Sequence, residues 1–195
     1  RHTHLPEHKF VKGQPETGVE LADDLERIAM NFGSENIAAC IVEPISGSTG
    51  TLVPPKGYLN RLREICDKYD ILLIFDEVIT GWGRTGSSFA AKEYGVTPDL
   101  MTMAKATTNG IVPMGVVAVK EEIYDTIVNS APDGVIELFH GYTYSGIPVA
   151  VAAALAVQDI FDKEDIFNRA KNLSSYFLDG LFSLKDIDCV ENIRG

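Results

Sequence analysis

Two acids and a lysine stand where side chains can do chemistry. Asp76-Glu77 directly follows the apolar run at 71–75 (ILLIF), and Lys105 directly follows the strand-like run at 99–104 (DLMTMA). In an open α/β sheet, ligands collect at the carboxyl ends of the strands. An acid placed there presents a charge to a ligand; a solvated strand end is the plainer reading of the same residues. A lysine among apolar and small residues, once desolvated, has a lowered pKa and serves as a Schiff-base former or general base. Most lysines simply meet solvent. A third segment, His140-Gly141-Tyr142-Thr143-Tyr144-Ser145-Gly146, brings together hydroxyls, backbone donors and glycines. That composition suits an anion such as phosphate, and suits a structural turn equally well.

Two other chemistries fit less well. A strand ending in Asp-Glu resembles the Mg²⁺-holding acid of a P-loop NTPase, but G-x-x-x-x-G-K-[ST] is absent. Gly81-Trp82-Gly83-Arg84-Thr85-Gly86 matches G-x-G-x-x-G, the glycine pattern of nicotinamide sites. Asp76-Glu77, however, stands between strand and glycines, near where pyrophosphate charge would sit, and no second acid-ended strand follows at about 20 residues.

The elements that must position these residues are legible from periodicity. Leu21, Leu25, Ile28 and Ala29 predict a helix near 20–32; Leu59, Leu62, Ile65 and Cys66 predict another over 58–69. The short apolar runs at 37–42 (IAACIV) and 71–75 read as strands covered on both faces. Further strand-like runs lie at 99–104 and 115–119, and helices are expected near 121–129, 148–162 and 165–184. Residues 46–57 and 81–88 are loop chemistry, and 1–19, with Pro6, Gly13, Pro15 and Gly18, reads as an irregular connector. Strands alternating with helices imply an α/β fold, a mostly parallel sheet flanked by helices.

Composition narrows the partners. The 195 residues carry 17 Lys and Arg against 28 Asp and Glu, a formal net charge of −11. Nucleic-acid binding needs basic residues to replace phosphate counterions, so neither nucleic acid nor an anionic membrane surface is expected as a partner. No run approaches the roughly 18 apolar residues of a membrane span. Cys40, Cys66 and Cys189 form neither a disulfide framework nor a zinc pattern, and Cys40 reads as a small hydrophobe. A reducing cytoplasm is the expected compartment, and no metal site is expected: His2, His4 and His8 cluster, but around Pro6 they read as a solvated loop. The chain opens without methionine and stops straight after a helical pattern, so it reads as a fragment of a longer protein.

Taken in order, the motifs are specific. Ile41-Val42-Glu43-Pro44 precedes Phe75-Asp76-Glu77-Val78 and Gly81-x-Gly83-Arg84-Thr85-Gly86. Pro98-Asp99-Leu100, Ala104-Lys105, Thr108-Asn109-Gly110, Pro113-Met114-Gly115 and the 140–146 segment follow. This order resembles the class III (ω-type) aminotransferases, which use pyridoxal 5′-phosphate (PLP), and most resembles the branch passing amino groups from ω-amino acids or amines to pyruvate. The resemblance implies that 20–190 is part of the PLP-binding large domain of fold type I, in its later half, and that 191–195 begins a truncated C-terminal small domain. It implies that Lys105 is catalytic and holds the cofactor's aldehyde as an imine, that Asp76 faces the pyridine nitrogen, and that Val78 packs on the ring. Thr143 would bond the cofactor phosphate of a neighbouring subunit in a homodimer with a shared active site, and Glu43 would lie near the cofactor. The partners implied are an amino donor and a keto-acid acceptor.

Ile79 stands where many relatives carry a glutamine, Ile147 where a polar residue is common, and Thr107 where an aliphatic is usual. The family's Gly-rich phosphate loop and stacking aromatic fall upstream of residue 1, and its substrate-gripping arginine falls downstream of residue 195. These 195 residues alone are therefore expected to be inactive. The competing expectation is a non-catalytic truncated domain that acts as a binding or structural module.

Overall fold

The computed structural model describes residues 4–195; His2 and the first three positions of the connector lie outside them. Four strands form one sheet in the order β1-β2-β3-β4: β1 is Ala39–Val42, β2 Leu72–Asp76, β3 Leu100–Met103 and β4 Val116–Val119. The first three are parallel, with Val42 opposite Phe75 and Asp76 opposite Thr102. Strand β4 runs antiparallel to β3, with Met103 opposite Val116. The sheet is thus mostly parallel and mixed at one edge.

Helix α1 is Asp23–Phe32 and α2 is Tyr58–Tyr69. On α2 the residues Leu59, Leu62, Ile65 and Cys66 fall on one helical face, and all four are buried. They pack with Ala22 and Ala29 against Leu73 and Phe75 of β2, both 0% exposed. Strand β1 departs from the two-faced burial expected of it. Among the described residues helices α1 and α2 cover one face of the sheet here, so Ile41 stays 61% exposed, and on the same face of β2, also expected to be covered on both sides, Leu72 is 38% exposed.

Beyond the sheet, α4 is Glu121–Ser130, α5 Pro148–Lys163 and α6 Ile166–Phe182. Proline opens α5 at a position where its missing N–H has no helical partner to lose. No periodicity predicts α3, Ala90–Tyr94. Its cause is Glu77, thirteen residues upstream, whose buried carboxylate accepts the N–H groups of Ala90 (2.8 Å) and Ala91 (2.7 Å). A carboxylate at a helix start satisfies orphan donors and complements the helix dipole.

His4 and His8 are structural. His8 is 2% exposed, not solvated as the sequence suggests; its Nδ1 accepts the Leu5 N–H at 3.1 Å and its Nε2 lies 3.3 Å from Thr17 Oγ1. His4 Nε2 lies 3.1 Å from Asn192 Nδ2, which ties the two ends of the described chain together.

Candidate active site

Parallel strands deliver their carboxyl ends to one edge of the sheet. Glu43 follows β1, Asp76 closes β2, and Lys105 comes two residues after β3. The ladder fixes their lateral order: Val42 pairs with Phe75, just before the two acids, and Asp76 pairs with Thr102, three residues before Lys105. Glu43, Asp76 and Lys105, far apart in sequence, thus share one edge.

Asp76 is half-buried. Its Oδ1 accepts the Val78 N–H at 3.0 Å, a turn that fixes the carboxylate's direction, and its Oδ2 has no partner among the described residues. Val78, also half-buried, is brought beside Asp76 by this bond. Glu43 Oε2 accepts the Gly47 N–H at 3.0 Å and so closes the loop that follows β1.

Glu77 behaves differently from its neighbour. It is 0% exposed, and Thr80 Oγ1 adds a third bond at 2.9 Å to the two from α3. All three serve the fold. One half of the Asp-Glu pair faces the sheet edge and the other holds a helix. The same arrangement disposes of a nicotinamide site: the helix that follows Gly86 begins only at Ala90, and its first N–H groups are taken by Glu77 rather than left for a pyrophosphate.

Lys105 opens a single 3₁₀ turn, Lys105–Thr107, with φ +42°. A non-glycine residue in the left-handed region is uncommon, and such residues concentrate at functional sites. The side chain is exposed, and its amine has no hydrogen-bond or ion-pair partner among the described residues. The turn beneath it is anchored. Thr107, 3% exposed, donates its hydroxyl to the Ala104 carbonyl at 2.9 Å and accepts the Trp82 indole N–H at 2.9 Å. Helix α5 packs against the same turn.

Thr143 is not joined to this group. It is exposed, and its Oγ1 bonds only the Gly141 carbonyl, at 3.2 Å. Sequence reading passed over Trp82 and the buried partnership of Glu77. The one signal for Trp82 is a lone tryptophan between glycines in the 81–86 segment.

Comparison with known proteins gives the family. Residues 2–195 match the family described as Aminotransferase class-III. The chain is 58% identical to an omega-aminotransferase of Caulobacter vibrioides and 52% identical to a beta-alanine–pyruvate aminotransferase of Pseudomonas aeruginosa. Each match covers 99% of this chain and 44% of the relative. The chain therefore spans less than half the length of these curated relatives. It also superposes on an (S)-enantioselective omega-transaminase of Thermomicrobium roseum with a TM-score of 0.85 and 45% identity, over 90% of this chain and 38% of that one.

Proposed function

The chain belongs to the class III aminotransferases, and on that premise we propose that the protein containing it transfers an amino group from an ω-amino acid or amine to a keto acid such as pyruvate. The names of the two curated relatives support that choice of donor and acceptor. The family's cofactor is PLP, and the donor set at the sheet edge fits it. Lys105 offers an exposed amine and Asp76 a carboxylate oxygen, both unpartnered among the described residues. The shared edge of Asp76 and Lys105, set by the Asp76–Thr102 register, is the observation that carries the reading.

When bound, PLP supplies the electron sink needed to remove a proton from the substrate's amino-bearing carbon. Asp76 holds positive charge at the pyridine nitrogen, because a neighbouring carboxylate favours the protonated ring. Lys105 would hold the cofactor at its aldehyde, and its amine, once free, would move the proton at the substrate carbon as a general base and acid. An arginine, effectively always protonated, does neither. Val78 would flank the ring, and Glu43 would line the edge beside Asp76.

Thr143 serves the phosphate of a second subunit in this proposal, so the active site is completed by a homodimer. Its exposed hydroxyl supports that role, as do the exposed rings of Phe139 and Tyr144 around it, which a second subunit would cover. Three free cysteines support a reducing compartment, which we take to be the cytoplasm.

The test is borohydride reduction of the full-length protein with PLP, followed by peptide mapping. The cofactor mass is expected on Lys105, and Lys105→Ala is expected to lose both the label and transamination. A label mapped to another lysine overturns the assignment.

A further inference from the structure

Lys105 sits in a left-handed conformation that its own residue type does not favour, so other residues must hold it there. Thr107 and Trp82 do so. The Ala104 carbonyl accepts both the backbone N–H and the hydroxyl of Thr107, each at 2.9 Å, and this closes the turn that carries Lys105. A hydroxyl has one proton to give, and here it goes to Ala104. The hydroxyl's remaining contact, with the Trp82 indole at 2.9 Å, is therefore accepted, and an indole N–H can only donate. The result is one directed chain: Trp82 N–H to Thr107 O–H to the Ala104 carbonyl.

The far end of this chain is packed. Trp82 stands edge-on to Phe89 with ring centroids 4.9 Å apart and lies near-parallel to Phe161 of α5 at 6.2 Å. Its own backbone N–H bonds the Ser88 carbonyl at 2.6 Å. Gly81 and Gly83 on either side permit the close packing. A Cβ on Gly81 would meet the Glu77 carbonyl oxygen at 2.9 Å, and one on Gly83 would meet the Phe167 ring at 2.6 Å. Phe89 in turn precedes the helix that Glu77 fixes.

We propose that Trp82 and Thr107 are positioning residues for Lys105: their hydrogen-bonded chain holds the Lys105 turn in the left-handed conformation from which its amine is presented to the cofactor and substrate. This rests on the reading of Lys105 as the cofactor-bearing lysine. Neither residue touches the reacting atoms. They act by keeping the amine's base fixed, since small misplacements of a reacting group lose large rate factors. Without the hydroxyl, the Ala104 carbonyl keeps only its backbone bond and the Trp82 N–H is left unpaired in a packed cluster, so the turn loses its tie to the aromatic frame.

The experiment uses the full-length protein. Apoprotein is mixed with PLP, and the rate of attachment is followed by absorbance alongside kcat, KM and the pH midpoint of the bound cofactor's absorbance change. Thr107→Val, close in shape but without the hydroxyl, is expected to slow attachment and lower kcat about tenfold, equivalent to about 1.4 kcal/mol. It is also expected to shift the pH midpoint and leave KM within about twofold. Thr107→Ser is expected to restore all of these. Trp82→Phe keeps the ring packing and removes the N–H, and it is expected to reproduce part of the loss. Combined with Thr107→Val it should add nothing, because both changes break one chain.

Wild-type attachment, kcat and pH midpoint in Thr107→Val overturn the proposal. So do equal losses in the Val and Ser variants, which would indicate packing alone, and so do fully additive losses in the double variant. Borohydride mapping separates the two levels of inference. A label still on Lys105 with unchanged kinetics in Thr107→Val refutes only the positioning chain; a label on another lysine refutes the site reading and the chain together.

Discussion

Asp99 Oδ2 accepts a hydrogen bond from Arg63 Nη1 at 2.7 Å, and the Leu73 N–H reaches the same oxygen at 2.7 Å, so α2 and β2 are fastened to the residue just before β3. Lys120 Nζ reaches the other oxygen at 2.7 Å from the end of β4. One buried carboxylate thus joins three strands and a helix on the side of the sheet opposite the candidate site. Burial works to raise its pKa. The bonds from Lys120, the Leu73 N–H and Arg63 outweigh it and hold the carboxyl below the usual carboxylate range.

Asp99→Asn is expected to destabilise the full-length protein by about 3 kcal/mol, near the lower end of what removing one partner of a buried pair costs. Because the folded pKa lies below the unfolded value of about 3.9, the carboxylate's contribution is fully present above that value. It is lost as pH falls through the lower, folded pKa. Melting temperatures of wild type and variant should therefore differ at pH 7 and converge in strong acid. A gap that persists undiminished at pH 2 would count against this role.

The adjacent acids should separate cleanly. Asp76→Asn is expected to leave the melting temperature nearly unchanged and lower kcat by about 10³, which corresponds to about 4 kcal/mol of transition-state stabilisation. Glu77→Gln should do the reverse. It removes a charge that accepts two backbone N–H groups and a hydroxyl, so a stability loss of about 1.5–3 kcal/mol is expected, with most of the turnover retained in the molecules that remain folded. Denaturant melts and steady-state assays on both variants distinguish the roles.

Thr143→Ala tests the shared site. A hydroxyl bonded to a charged phosphate contributes about 1.5–3 kcal/mol, so PLP affinity should fall by roughly one to two decades. If the site is shared as proposed, dimer formation and cofactor binding would be thermodynamically linked, and PLP should tighten the dimer less in the variant than in wild type. Sedimentation at several concentrations, with and without PLP, reads this directly. An unchanged affinity in a monomeric protein would return the 140–146 segment to a structural turn.

Gly83→Ala probes the aromatic frame. The residue has φ +89°, and the added Cβ would lie 2.6 Å from Phe167 Cδ1. Backbone strain and overpacking together should cost more than about 1 kcal/mol, seen as a lower melting temperature. A neutral or stabilised variant would mean that the 81–86 loop is looser than its packing indicates.

Local pattern alone determines much of this protein. The 58–69 helix is legible because burial of one face imposes a 3.6-residue period, which Leu59, Leu62, Ile65 and Cys66 display. The strand positions and the placing of Asp76 and Lys105 at strand ends are legible because a buried strand must be apolar and must stop where polar groups begin. The family resemblance rests on the same ordered motifs, and the comparisons bear it out. Tertiary structure decides what depends on residues distant in sequence. Strand direction follows the path of the connecting chain, so the antiparallel β4 has no local signature. Helix α3 exists through a carboxylate thirteen residues away, and that same contact divides Asp76 from Glu77, which side by side in sequence look alike. The Trp82–Thr107 bond spans twenty-five residues. Its polar ends carry no periodicity, because a hydrogen bond needs one donor and one acceptor in register in space, and only the folded sheet, with its loops packed on α5, brings these two within reach.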